Sequence, residues 1–231
     1  MPTTAHPDSP DPADVPVDPP EGLVRAQLMA RTVAEAACDV ATPGMTEREL
    51  ATWVETALRS AGATSLWTIT NVGFGEGSLR CFPTVPPSDR QLWNIDVGHV
   101  DVHPVVDGWW GDCTRTLVVG EHPDYVEARD EIQAIHDAIL EAATPGMPAR
   151  QLWEVYRDAL AGTDWRPLDR LGNIGHSIGR NASYTEGYID RHNTTPMWGA
   201  WAVEPFIGNH LYGVKVEDVI WFGPDGCTVI R

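Results

Sequence analysis

The sequence predicts an α+β fold in which helices back a curved antiparallel sheet, built twice in tandem with pseudo-two-fold symmetry. Three observations predict it. The segment A-T-P-G-M occurs at residues 41–45 and again at 143–147, and at the same offset Arg48 matches Arg150, Leu50 matches Leu152 and Ala57-Leu58 matches Ala159-Leu160. Each copy reads as helix, Pro-Gly turn, second helix, then strands. Between apolar β-forming runs, Asp107-Gly108 is a strong hairpin signal.

The elements follow in order. Residues 1–21 are rich in Pro and Asp, with few core formers, and read as a disordered or extended tail; residues 22–231 read as one domain. Helical periodicity runs from Leu23 through Leu28, Val33 and Ala37, and Pro43-Gly44 stops it. Thr46 and Glu49 form a capping-box pair that opens a second helix, ending near Gly62. A strand is expected over Leu66–Val72, then an irregular Gly/Pro-rich stretch from Gly73 to Pro87. Strands follow at Leu92–His103 and Cys113–Val119, helices at Tyr125–Ala143 and Ala149–Ala161, then short strands and loops.

Composition narrows the function classes. The formal net charge is −17, from 33 acidic against 16 basic side chains. No basic patch stands out to neutralise phosphates, so nucleic acid and anionic membrane are not expected partners. Four scattered cysteines, Cys38, Cys81, Cys113 and Cys227, lack C-x-x-C spacing and read as reduced thiols of a cytoplasmic protein. No apolar stretch is long enough to span a bilayer, and the N-terminus lacks the pattern of a secretory signal.

Five residues look like the ligands of a two-metal site: Asp101, Asp112, His176, Glu204 and Glu217. A hairpin at Asp107-Gly108 would aim Asp101 and Asp112 at one point. His99, Asp101 and His103 alternate and should share a strand face, with Asp96 pointing the other way. Pairing of Asp112 with Arg115 is the plainer alternative. His176 lies in the Gly-rich stretch 172–179, and Glu204 and Glu217 lie in apolar β-forming runs. Burying four unpaired carboxylates is costly, so a cation is their natural partner. Oxygen ligands with one imidazole suit Mn, Fe, Co or Zn. Two such ions, roughly 3.5–4 Å apart, would activate a water and polarise a carbonyl.

These segments resemble those of the pita-bread metallopeptidase superfamily, which holds methionine aminopeptidases, aminopeptidase P, prolidase and creatinase. The resemblance covers residues 22–231. It is carried by V-D-V-H-P-V-V-D-G-W-W-G-D-C-T-R-T, G-H-S-I-G, V-E-P-F-I and V-K-V-E-D-V-I-W-F-G-P-D-G-C. D-V-H-P and the short interval between the glutamates are more similar to the Xaa-Pro-cleaving branch. The resemblance implies a dinuclear hydrolase that attacks a peptide or small amide through a metal-bridged hydroxide, with Glu204 as proton shuttle. His103 and His99 are the other expected catalytic groups.

Two accessory histidines of that family are missing. Ser183 stands where one is expected, and Arg80–Arg90 contains no histidine. Serine hydrogen-bonds but is a poor base at neutral pH. Ser183, Tyr184, Trp109 and His210 are the expected substrate contacts, and His192 is a further candidate base. The substrate is then a short peptide or a small molecule, and a homodimer is left open. The competing readings are different metal chemistry on a small molecule, iron-based redox included, or a binding module that has lost catalysis.

Overall fold

The computed structural model describes residues 12–231. Its four helices are α1 (Glu21–Val40), α2 (Glu47–Ala61), α3 (Pro123–Ala142) and α4 (Ala149–Leu160). The strands are β1 (Ser65–Leu66), β2 (Asn71–Phe74), β3 (Asp96–Val102), β4 (Pro104–Val106), β5 (Trp109–Trp110), β6 (Cys113–Val119), β7 (Arg166–Pro167), β8 (Gly175–Gly179), β9 (Ala182–Tyr188), β10 (Gly199–Val203), β11 (Phe206–Gly208), β12 (Gly213–Lys215), β13 (Asp218–Phe222) and β14 (Cys227–Val229).

Two half-domains are visible in how these pack. In the first, α1 and α2 bury Val33, Leu50, Val54 and Leu58 against Val72, Phe74, Val100, Val102 and Leu117 of the antiparallel sheet β2-β3-β6. In the second, α3 and α4 bury Ile132, Ile139 and Leu152 against Trp201, Val203, Ile220 and Phe222 of the sheet β14-β13-β10-β8-β9. Full burial of each such side chain contributes about 1.5–3 kcal/mol. Strand alternation sends the opposite set, His99 and Asp101 among them, away from the helices and toward the interior between the halves.

The repeated A-T-P-G-M segment makes the same clip twice. Gly44 N donates to Leu92 O, and Leu92 N donates back to Met45 O. In the second half Gly146 N donates to Met197 O, and Met197 N to Met147 O. Gly44 and Gly146 have φ of 93° and 71°, a region that favours glycine. Thr46 and Glu49 make the full reciprocal capping box, and Gly62 closes α2 in the left-handed region.

Three boundaries differ from expectation. The strand over Leu66–Val72 is two strands, because β1 pairs with β4 whereas β2 pairs with β3, and Trp67–Thr70 crosses between the sheets. Pairing in β3 begins at Asp96 rather than Leu92, since the Asp96 carboxylate turns back to accept from Trp93 N and Arg90. The expected tail falls partly on residues 1–11, outside the described residues. Residues 12–20 lie against the fold: Val15 is buried beside Leu23 and Trp221, and the Trp221 indole donates to Pro16 O.

Candidate metal centre

Four stretches of chain bring the five expected ligands together, each for a local reason. Asp107 (φ 53°) and Gly108 (φ 80°) form the tight turn between β4 and β5, which returns the chain so that β6 pairs with β3. Asp101 then faces Thr114 across the ladder, with Asp112 just ahead of β6. Gly175 lets β8 approach β10 closely: a Cβ there would sit 2.1 Å from Ala202 O. His176 on β8 thereby reaches the interior. Glu204 N is fixed by Ile174 O, and Glu217 N by Thr114 O.

The resulting cluster is tight. His176 Nε2 lies 3.3 Å from Asp112 Oδ2 and 3.8 Å from Glu204 Oε1. His103 Nε2 lies 3.2 Å from Asp101 Oδ1 and 3.5 Å from Asp112 Oδ1. Thr114 Oγ1 is 2.8 Å from Asp101 Oδ1 and 2.7 Å from Glu217 Oε2. Suitable donor atoms of Asp101, His103 and Asp112, and again of Asp112, His176 and Glu217, lie within 4.8 Å of one another. Arg115 turns away to Asp218 and to Glu217 O, so Asp112 is not its partner.

Sequence reasoning missed the cation in this cluster. Lys215 Nζ is 2.7 Å from Glu204 Oε2, 3.3 Å from Glu217 Oε2 and 3.4 Å from Asp101 Oδ2. Cys81 Sγ, also missed, donates to the same Asp101 Oδ2 at 3.1 Å. The period of two in V-K-V-E carried a signal, since it puts Lys215 on the face of Glu217.

The electrostatics ask for more positive charge. Burial, reinforced by Asp112, pushes the Glu217 carboxyl well above its usual range, and burial also raises Asp112. For Asp101 burial is outweighed by His103 and Lys215, which hold it well below. Burial works against the charged form of Lys215, but its carboxylate neighbours, Asp101 foremost, raise it. Asp112 Oδ1 and Glu217 Oε1 are buried and accept no hydrogen bond from the described residues. Orphaned carboxylate oxygens beside an imidazole fit a divalent ion.

The centre floors a cavity of about 160 Å³. Trp67, Phe82, Tyr184 and Tyr188 wall it, and Asn71, Asp169 and Asn173 add polar groups. Trp67 stacks on Trp110 behind it, with centroids 4.9 Å apart.

The expected catalytic and substrate residues divide. His103, Tyr184 and Glu204 line the cavity. Ser183 lies behind it: its Oγ is 2.9 Å from His176 Nδ1, so it orients that ring. His99, expected to be catalytic, is sealed behind Asp101 with Nε2 3.0 Å from Asn71 Oδ1, and burial lowers its pKa to about 4. Trp109, expected to touch substrate, packs outward on Gly22 and the apolar cluster of Val15 and Leu23. Trp67 faces the site instead, backed by Trp110. His210, expected likewise, is exposed in the turn between β11 and β12, and His192 is exposed beside Arg191.

The profile of metallopeptidase family M24 matches residues 21–223. The chain belongs to metallopeptidase family M24. Among relatives of this M24 chain, the probable dipeptidase PepE of Mycobacterium tuberculosis is 29% identical over 196 residues, covering 82% of the chain and 50% of the relative. The methionine aminopeptidase of Chlamydia muridarum is 34% identical over 95 residues, 40% of the chain and 32% of the relative. The chain thus spans half or less of these two curated relatives. The dipeptidase PepE structure from Mycobacterium ulcerans superposes with TM-score 0.82 at 26% identity, over 91% of the chain and 57% of that protein. The methionine aminopeptidase structure from Thermotoga maritima gives 0.77 at 17% identity, over 94% and 98%. The M24 chain therefore has the pita-bread fold expected from its motifs.

Proposed function

We propose that this M24 chain is a metal-dependent hydrolase that cleaves an amide or related C–N bond in a short peptide or small molecule. One observation carries the reading: Asp112, His176, Glu204 and Glu217 converge with orphaned, buried carboxylate oxygens at the floor of a cavity open to substrate. A divalent ion held there supplies Lewis acidity, lowering the pKa of water and polarising a carbonyl.

The chain's own groups do the remainder. Glu204 is the most accessible carboxylate of the set, with 20% of its side chain exposed against 1% for Glu217, and it is the candidate to carry the proton from water to the leaving nitrogen. Ser183 fixes the His176 ring through Nδ1, leaving Nε2 for the ion. Trp67, Tyr184 and Tyr188 supply flat apolar walls for a compact substrate. A cavity of about 160 Å³ is small for a ligand site, which favours a dipeptide or smaller amide over a long peptide. Dipeptidase relatives support the same scale of substrate.

The test is a screen of Xaa-Pro dipeptides, Met-peptides and amino-acid amides with Mn-, Co-, Fe- and Zn-loaded protein, each repeated with Glu204→Ala. Turnover by wild type and its loss in the variant is the expected result. Tight ligand binding with no turnover under any metal would refute hydrolysis, and oxygen uptake by the iron form would redirect the assignment to redox chemistry.

A further inference from the structure

The two halves of the carboxylate cluster are not equally ready for a cation. Two oxygens are left unsatisfied: Asp112 Oδ1, with His103 Nε2 no nearer than 3.5 Å, and Glu217 Oε1 accept no hydrogen bond from the described residues, while Asp112 Oδ2 and Glu204 Oε1 face the His176 imidazole. Around Asp101 the oxygens are crowded. Its Oδ1 has Thr114 Oγ1 at 2.8 Å and His103 Nε2 at 3.2 Å; its Oδ2 has Cys81 Sγ at 3.1 Å and Lys215 Nζ at 3.4 Å. A carboxylate offers about four lone-pair sites, and protein groups stand at all of them.

Lys215 supplies positive charge between the two sides. Its three N–H donors meet three carboxylates, those of Glu204, Glu217 and Asp101. The side chain is only 5% exposed, at the wall of the cavity. A divalent ion seated on Asp101 and Glu217 Oε2 would share its oxygens with this ammonium and be repelled by it at close range.

We infer that the Lys215 ammonium stands in for a second metal ion, so that the chain binds one divalent ion, on Asp112, His176, Glu204 Oε1 and Glu217 Oε1, beside a cage in which the ammonium holds Glu204 Oε2, Glu217 Oε2 and Asp101 Oδ2. The inference rests on the metal-centre reading above and departs from the two-ion centre the sequence suggests. Asp101 becomes a partner of Lys215, and Cys81 and Thr114 hold it there.

The experiment counts ions rather than turnover, so it stands whether or not hydrolysis is found. Chelator-treated full-length chain is titrated with Mn(II), followed by calorimetry and low-temperature electron paramagnetic resonance. The expected result is one ion per chain with the six-line signal of isolated Mn(II). Two ions per chain with an exchange-coupled signal overturns the inference and leaves the hydrolase reading intact; no ion at all sinks both. Lys215→Met is expected to admit a second ion, and a folded Lys215→Met that still binds one overturns the substitution argument. If that variant does not fold, the wild-type count decides. Cys81→Ala, which leaves the ammonium in place, is expected to keep the count at one, and a rise to two overturns the role given to Lys215.

Discussion

At the scale of single residues, the side chains that matter most are those whose polar atoms are spoken for only in part. Asp112 and Glu217 each keep a buried oxygen without a hydrogen-bond donor among the described residues, whereas Asp101 is fully engaged. Removing Asp112 as Asp112→Asn is expected to abolish metal uptake in calorimetry together with any metal-dependent turnover. Ser183 acts one step removed. Loss of an outer hydrogen bond to a metal histidine typically costs about 10–100-fold in affinity, so Ser183→Ala is expected to weaken Mn(II) binding at least roughly tenfold while leaving the melting temperature of the chelated protein unchanged. Unchanged affinity would show that Ser183 does not orient the ring. The five expected ligands were legible because Asp101, Glu204 and Glu217 are carboxylates stranded in apolar β-runs, Asp112 follows a hairpin signal and His176 lies in a Gly-rich stretch. Lys215 was not, because a lysine between two valines reads as an edge residue facing solvent until its register with Glu217 is considered.

Among the elements, helix ends and strand registers carry the design. The reciprocal hydrogen bonds of Thr46 and Glu49 satisfy donors at the start of α2 that would otherwise be unpaired. Thr46→Ala is expected to cost about 1 kcal/mol, read as a drop in melting temperature of roughly 2–4 °C for a chain of this size. α3 carries a different signature. His136 on its buried face has Nε2 3.2 Å from Val203 O, and burial holds its pKa at about 4 against an ordinary 6.5. A depressed histidine pKa favours the folded state above the unfolded value. Its contribution, on the order of 3 kcal/mol, is therefore full above pH 6.5 and lost as pH falls toward about 4. His99 behaves alike. His136→Leu is expected to flatten the stability curve over that window, leaving the share of His99. An unaltered pH profile would refute the assignment. Caps and helices were readable from local chemistry; the register of β5 was not. With Val106 opposite Trp109 and Val105 opposite Trp110, a shift of one residue exchanges which indole backs Trp67.

For the whole molecule, the repeat in sequence became two helix-backed half-sheets with matching backbone clips, and the centre lies where they meet. Thr114 and Thr116 of the first half bind Glu217 and Lys215 of the second, so the site is also the seam. An ion held there links the halves, and its removal should loosen the whole fold. With metal at about 100 times its dissociation constant, binding adds about 2.7 kcal/mol. Chelation is accordingly expected to lower the melting temperature by roughly 5–10 °C, reversed by returning Mn(II). A melting temperature indifferent to chelator would contradict a structural link through the metal. This coupling was invisible in the sequence because threonines at strand positions carry no mark of a long-range partner. The cavity walls were equally hidden, since Trp67 and Asp169 come from connecting segments whose course depends on the completed sheets.

The stack of Trp67 on Trp110 has one more consequence. It sets an indole against the histidine proposed to hold metal, 5.9 Å between ring centroids. An excited indole at that range is expected to be quenched by Co(II), which has spin-allowed d–d absorption, and left bright by closed-shell Zn(II). The share of Trp67 in the emission of ten tryptophans is therefore expected to distinguish a Co(II) form of the protein from a Zn(II) form.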